Sequence, residues 1–149
     1  MLSFQILQRA TAGESTTYSA AVVEYHPDRN ENDEHRVENN LKNYVTYILD
    51  FKSQPLDVMV FPESTLNSYA TAVVIPETIE ACQQSEGIIN RLSCAAKTSS
   101  TYLVVNLTTK RNCTVDKEES EDDRPCAEDD WNYYNTNVVF DRNGQIISM

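Results

Sequence analysis

Leu56-Asp57-Val58-Met59-Val60-Phe61-Pro62-Glu63 is the stretch whose reading decides the fold. Four apolar residues in succession, Val58 to Phe61, fit a strand covered on both faces; a strand with one wet side would alternate apolar and polar residues. Pro62 has no N–H for a sheet ladder and turns the chain out of it. Glu63 therefore stands just past the strand's C-terminal end. Open α/β sheets gather functional groups there, because loops escape sheet hydrogen bonding while the strand fixes where they begin. Taken alone, Glu63 reads first as an exposed loop acid or helix-starting residue and second as a functional carboxylate.

Upstream, residues 18–25 (Tyr-Ser-Ala-Ala-Val-Val-Glu-Tyr) read as a strand and 26–32 as a polar loop. Asp33 is placed to cap a helix over 34–52, in which Val37, Leu41, Tyr44, Val45, Ile48 and Phe51 recur at helical spacing. Ser53-Gln54-Pro55 ends it, and the 56–61 strand follows at once, completing a parallel strand-helix-strand unit. Downstream, 64–84 is weakly patterned, with a short turn of helix near Glu77. A second helix is expected over 87–98, a third buried strand over 102–107 and a fourth at 138–140. Asn143-Gly144 signals a tight hairpin that returns 145–148 onto that strand. Two helices on one side cannot cover strands apolar on both faces. The sheet needs another layer, from further chain or a partner.

At 149 residues the chain has room for one domain or part of a larger one, and no apolar run approaches the 18 or so residues of a membrane span. The net charge of −11 is concentrated: residues 116–130 carry nine acids against Lys117 and Arg124. Lys and Arg are nowhere clustered, so nucleic acid is excluded as a partner. The acidic run reads as a solvated loop without the spacing or glycine of a calcium loop. Cys82, Cys94, Cys113 and Cys126 lack C-x-x-C spacing, and His26 and His35 lie far upstream, so neither a metal nor a cofactor is expected. An even cysteine count with sequons at Asn106 and Asn112 points to an oxidising, extracellular or secretory compartment. Gln5, Gln8 and Arg9 interrupt the apolar start, so residues 1–16 are an N-terminal segment with no convincing signal peptide, and 17–149 form the domain.

With these elements placed, the chain resembles the carbon-nitrogen hydrolase (nitrilase) superfamily, in its biotinidase and vanin (pantetheinase) branch and especially the insect vanin-like proteins. The carrying residues are 18–25, Val60-Phe61-Pro62-Glu63, Arg91-Leu92-Ser93-Cys94-Ala95-Ala96-Lys97, and 134–141 with the turn after it. The resemblance implies an α/β fold, the N-terminal part of a nitrilase-type α-β-β-α sandwich, with a Glu-Lys-Cys triad in which Glu63 matches the general base. The family's lysine and nucleophilic cysteine would follow Met149. Lys97 and Lys110 do not match the lysine, and the four cysteines match the branch's structural ones. The expected function is amide hydrolysis on a small linear amide such as pantetheine or biocytin, with this chain alone inactive. A truncated, non-catalytic secreted binding protein is the alternative. A membrane is reached only through a lipid anchor outside these residues, and a dimer is compatible with the family.

Loop lengths of twelve and thirteen residues favour Cys82 with Cys94 and Cys113 with Cys126, because neighbours are the least costly pairs to close. Asn106 ends a buried strand while Asn112 lies in a polar loop, so Asn112 is the more accessible glycan acceptor.

Overall fold

Among the described residues, six strands lie side by side in the order in which the chain makes them. The computed structural model describes residues 4–9, 17–27, 33–51, 56–76, 81–83, 86–119 and 125–149. The strands are β1 (Phe4–Arg9), β2 (Tyr18–Val23), β3 (Val58–Val60), β4 (Tyr102–Asn112), β5 (Trp131–Phe140) and β6 (Ile146–Ser148). β2, β3 and β4 run parallel, and the other pairs are antiparallel. Helix α1 (Asp33–Asp50) links β2 to β3, and α2 (Ile88–Ser99) links β3 to β4. Two crossovers that step the same way across a sheet and share one hand place their helices on the same face.

Register shows which residues meet those helices. Ala21, Met59, Leu103 and Phe140 align across β2, β3, β4 and β5, and none is more than 1% exposed. Leu41, Tyr44 and Ile48 of α1 and Leu92, Ala95 and Ala96 of α2 join them in one core. The adjacent row, Val22, Val60, Val104 and Val139, faces the other way. Val22 is 47% exposed and the other three are half-buried. The apolar succession of β3 is therefore covered on one face only by the described residues.

Four elements differ from expectation. Phe4–Arg9, left outside the domain by the sequence reading of 1–16, pairs with β2 from Phe4↔Val23 to Arg9↔Tyr18 as the sheet edge. Polar residues are admissible in a strand, whose neighbours point to opposite faces. β4 and β5 extend beyond their apolar cores in an unbroken ladder from Leu103↔Phe140 to Asn112↔Trp131, because backbone pairing continues where side chains no longer signal burial. The acidic segment opens with helix α3 (Cys113–Glu119) rather than loop. Asn112 Oδ1 accepts the N–H groups of Thr114 at 3.1 Å and Val115 at 3.3 Å, a side-chain cap that the loop reading overlooked. The expected helix stop at Ser53-Gln54-Pro55 and turn near Glu77 lie outside the described residues.

The four cysteines form the two neighbouring pairs, Cys82–Cys94 and Cys113–Cys126. One ties the segment before α2 to the helix, the other the start of α3 to the chain entering β5. In the β5–β6 connection only Gly144 has positive φ, +81°; Asn143 does not share the left-handed conformation expected of an Asn-Gly hairpin. Asp141 Oδ1 instead accepts the N–H groups of Asn143 and Gln145, both at 2.8 Å, and closes the turn.

Candidate active site

Pro62 ends β3, and Glu63 emerges beside it, exposed, on the uncovered side of the sheet. The chain after it is held down residue by residue. Thr65 Oγ1 donates to Pro62 O at 3.1 Å and meets the Tyr44 hydroxyl at 2.5 Å. Asn40 Nδ2 reaches Leu66 O at 3.3 Å, while Asn67 clamps Thr108 through both its amide oxygen and nitrogen. Tyr44 also stacks on Phe61, ring centroids 4.0 Å apart, and burial pushes its hydroxyl well above the usual phenol range, so it serves as a neutral prop. Strand, turn and following loop are one rigid mount for Glu63.

Directly after Glu63, Ser64 adopts φ +57°. For a residue with a Cβ this conformation costs about 1–2 kcal/mol, and the neighbouring strand offsets it: Ser64 N–H donates to Asn106 Oδ1 at 3.0 Å. Asn106, on β4, is 6% exposed. Its Nδ2 donates to Asn135 Oδ1 at 2.5 Å and Asn137 Oδ1 at 3.1 Å on β5. Asn135 Nδ2 in turn donates to Glu63 Oε1 at 2.6 Å. Glu63 is thus seated from β3, β4 and β5 at once.

The same face continues along β5 into an aromatic patch. Tyr133 stacks on the exposed Tyr69 at 3.9 Å, and Lys110 Nζ lies 4.7 Å from the Trp131 ring centre. Tyr133 donates its hydroxyl to Asp129 at 2.7 Å; this bond holds the phenol proton and pushes the Tyr133 pKa up to about 12. Among the described residues no group of three or more His, Cys, Asp or Glu side chains is placed to hold a metal ion. His26 is exposed, 3.6 Å from Glu24. All four cysteines are disulfide-bonded, so none supplies a thiolate.

The sequon residues separate sharply. Asn106 uses both side-chain atoms inside the site, whereas among the described residues Asn112 engages only its oxygen, in capping α3. Sequence reasoning singled out Glu63 and saw Asn106 only as a sequon; the role of Asn135 was missed. One signal was present: Asn106 interrupts the apolar run Leu103-Val104-Val105 before Leu107, and a polar side chain at such a position needs partners.

Comparison with known proteins identifies the family to which this fold belongs. The carbon-nitrogen hydrolase family model matches residues 5–149, and the chain belongs to that family. It is similar to Vanin-like protein 2 of Drosophila melanogaster, 37% identical over 99% of this chain and 28% of the relative. Vanin-like protein 1 of the same organism is 38% identical over 95% of this chain and 26% of the relative. Pantetheinase of Homo sapiens is 40% identical over 58 residues, 39% of this chain and 10% of the relative. The chain thus spans little more than a quarter of the length of the vanin-like relatives it matches. Among solved structures, a carbon-nitrogen hydrolase from Helicobacter pylori G27 aligns with a TM-score of 0.53 at 19% identity, over 85% of this chain and 36% of that one. An N-terminal amidase with an Asn-Glu-Ala peptide gives 0.52 at 13% identity, over 95% and 27%. These likenesses show the nitrilase-type α/β fold.

Proposed function

We propose that Glu63 is the general base of an amide hydrolase of the vanin and biotinidase type, acting on a linear amide such as pantetheine or biocytin. The observation that carries this reading is the seating of Glu63: a carboxylate at a strand end, bonded through one oxygen by Asn135 and, among the described residues, open at the other. Amide cleavage by a thiol needs such a group twice, to take the thiol proton and to return a proton to the leaving nitrogen. The nucleophile comes from outside these residues, because every cysteine here is bonded to another, and the family resemblance implies the same of the oxyanion-stabilising lysine. On this reading the 149 residues alone do not turn over amides. A base by itself contributes about 10²–10⁴-fold, far below what amide hydrolysis requires.

The two disulfides support an extracellular setting, and Asn112, whose amide nitrogen makes no hydrogen bond among the described residues, is the glycan acceptor, with Asn106 unmodified. A second reading has support in the uncovered sheet face and the lack of a free thiol: a non-catalytic, secreted binding protein that keeps the scaffold. One experiment separates them. Residues 1–149 are joined to the remaining part of a vanin-like relative and assayed on pantetheine and biocytin. Turnover that falls about 10²–10⁴-fold with Glu63→Gln supports the base. Turnover indifferent to that change removes it, and turnover by residues 1–149 alone overturns the inactivity.

A further inference from the structure

We infer that Asn106 and Asn135 are positioning residues that hold Glu63 with Oε1 occupied, leaving Oε2 as the atom that accepts the proton. The inference rests on the reading of Glu63 as a base, and follows from the order of donors and acceptors. A backbone N–H can only donate, so Ser64 N–H requires an oxygen opposite it, and this orients Asn106 with Oδ1 toward the turn. Asn106 Nδ2 then faces β5, where it needs acceptors and finds Asn135 Oδ1 and Asn137 Oδ1. An amide whose oxygen is taken on one side presents its NH₂ on the other, and Asn135 Nδ2 lies 2.6 Å from Glu63 Oε1. Each orientation dictates the next. The chain begins at a backbone group that cannot reverse and ends by offering a donor to the carboxylate.

Two consequences set this apart from ordinary surface hydrogen bonding. The residue after Glu63 is in the left-handed region and the same Asn106 secures it, so one buried side chain fixes both the backbone and, through Asn135, the carboxylate. Asn106 is also the first residue of a sequon, yet its nitrogen is committed to two bonds. A glycan there would replace one of the hydrogens that the relay uses.

The test reads side-chain amides and needs no turnover. The chain is labelled with ¹⁵N-asparagine, the Asn135 NH₂ pair is identified by its loss in Asn135→Asp, and spectra are followed as acid protonates Glu63. The expected result is a displacement of the Asn135 pair that Glu63→Gln abolishes, because the glutamine oxygen still accepts but no longer titrates. Asn106→Ala removes the acceptor for Ser64 and the donor to Asn135 and adds no titrating group, so the Asn135 displacement is lost with the fold intact by circular dichroism. If that variant does not fold, the Asn106 amide protons of the parent decide: they exchange with solvent more slowly than those of the exposed Asn143. An Asn135 pair indifferent to acid, a displacement that survives Glu63→Gln, or an Asn106 pair exchanging as fast as Asn143 overturns the relay. A displacement that obeys Glu63, in a protein whose amidase activity ignores Glu63→Gln, upholds the relay and removes only the reading on which its catalytic use rests.

Discussion

At Gly144 a single hydrogen atom stands where any other residue would place a carbon. An added Cβ would lie 2.4 Å from the Ser93 carbonyl oxygen and 2.7 Å from its Oγ, and φ is +81°. Ser93 is held there from two sides, donating to Gly144 O at 2.6 Å and accepting the Cys82 N–H at 2.9 Å, so it has no room to retreat. Gly144→Ala is expected to destabilise by roughly 1–3 kcal/mol, from backbone strain alone before the clash is added, measured by urea denaturation. Asp57 and Asp141 are two of the carboxylates that the fold holds below their usual range. The Ser19 N–H, with Arg142 adding its charge, holds the Asp57 carboxyl below the usual range. Burial pushes Asp141 up, but the N–H groups of Gln145 and Asn143 outweigh it, and its pKa is also lowered. Both groups therefore add stability that is complete above the unfolded carboxylate value of about 3.9 and is lost as pH falls through the lower folded values. Acid unfolding followed by circular dichroism should show a shallower decline below about pH 4 in Asp57→Asn. A decline unchanged in that variant and in Asp141→Asn would place the acid-sensitive groups elsewhere.

Strand β3 divides its three residues between two environments. Met59 is fully buried beneath the helices, while Val58 and Val60 on the opposite side are half-buried. Met59→Ala should cost about 2–5 kcal/mol through lost contacts and a cavity, and Val60→Thr should change stability by less than about 1 kcal/mol in this chain. Equal losses at the two positions, from matched denaturation curves, would mean that the far face is covered too. The strand itself was legible: its succession of apolar residues, the proline stop and the acid beyond it are local features, and local features can be read from local sequence. So were α1, α2 and the β5–β6 hairpin, from periodicity and turn chemistry. β1 and the polar ends of β4 and β5 were not, because their stabilisation lies in backbone bonds to the neighbouring strand, which side-chain patterns do not signal. α3 escaped because its cap, Asn112, was read as part of a polar loop.

At the scale of the molecule, the decisive property is a sheet that the described residues dress on one face and leave bare on the other. Val22, Val60, Val104 and Val139 align across four strands on the bare side, near Tyr18 and Tyr102, which are 47% and 37% exposed. A contiguous apolar surface of this kind binds solvatochromic dyes or another protein layer. The chain should enhance the fluorescence of an apolar-surface dye. Val22→Thr combined with Val104→Thr should lower that signal, whereas a pair of substitutions at the exposed helix positions Lys42 and Thr46 should leave it unchanged. Sequence by itself determined the α/β class, the order of the main elements, the disulfide partners by loop length, and the place of Glu63 beyond a strand. Each follows from neighbours along the chain. Only the tertiary structure decided which face of the sheet the helices cover, that Asn106 is a buried bracket instead of a surface acceptor, and that Asn135, seventy-two residues away, bonds the carboxylate. Those facts depend on the register between β4 and β5, which brings distant amides within hydrogen-bond reach and which no local pattern encodes.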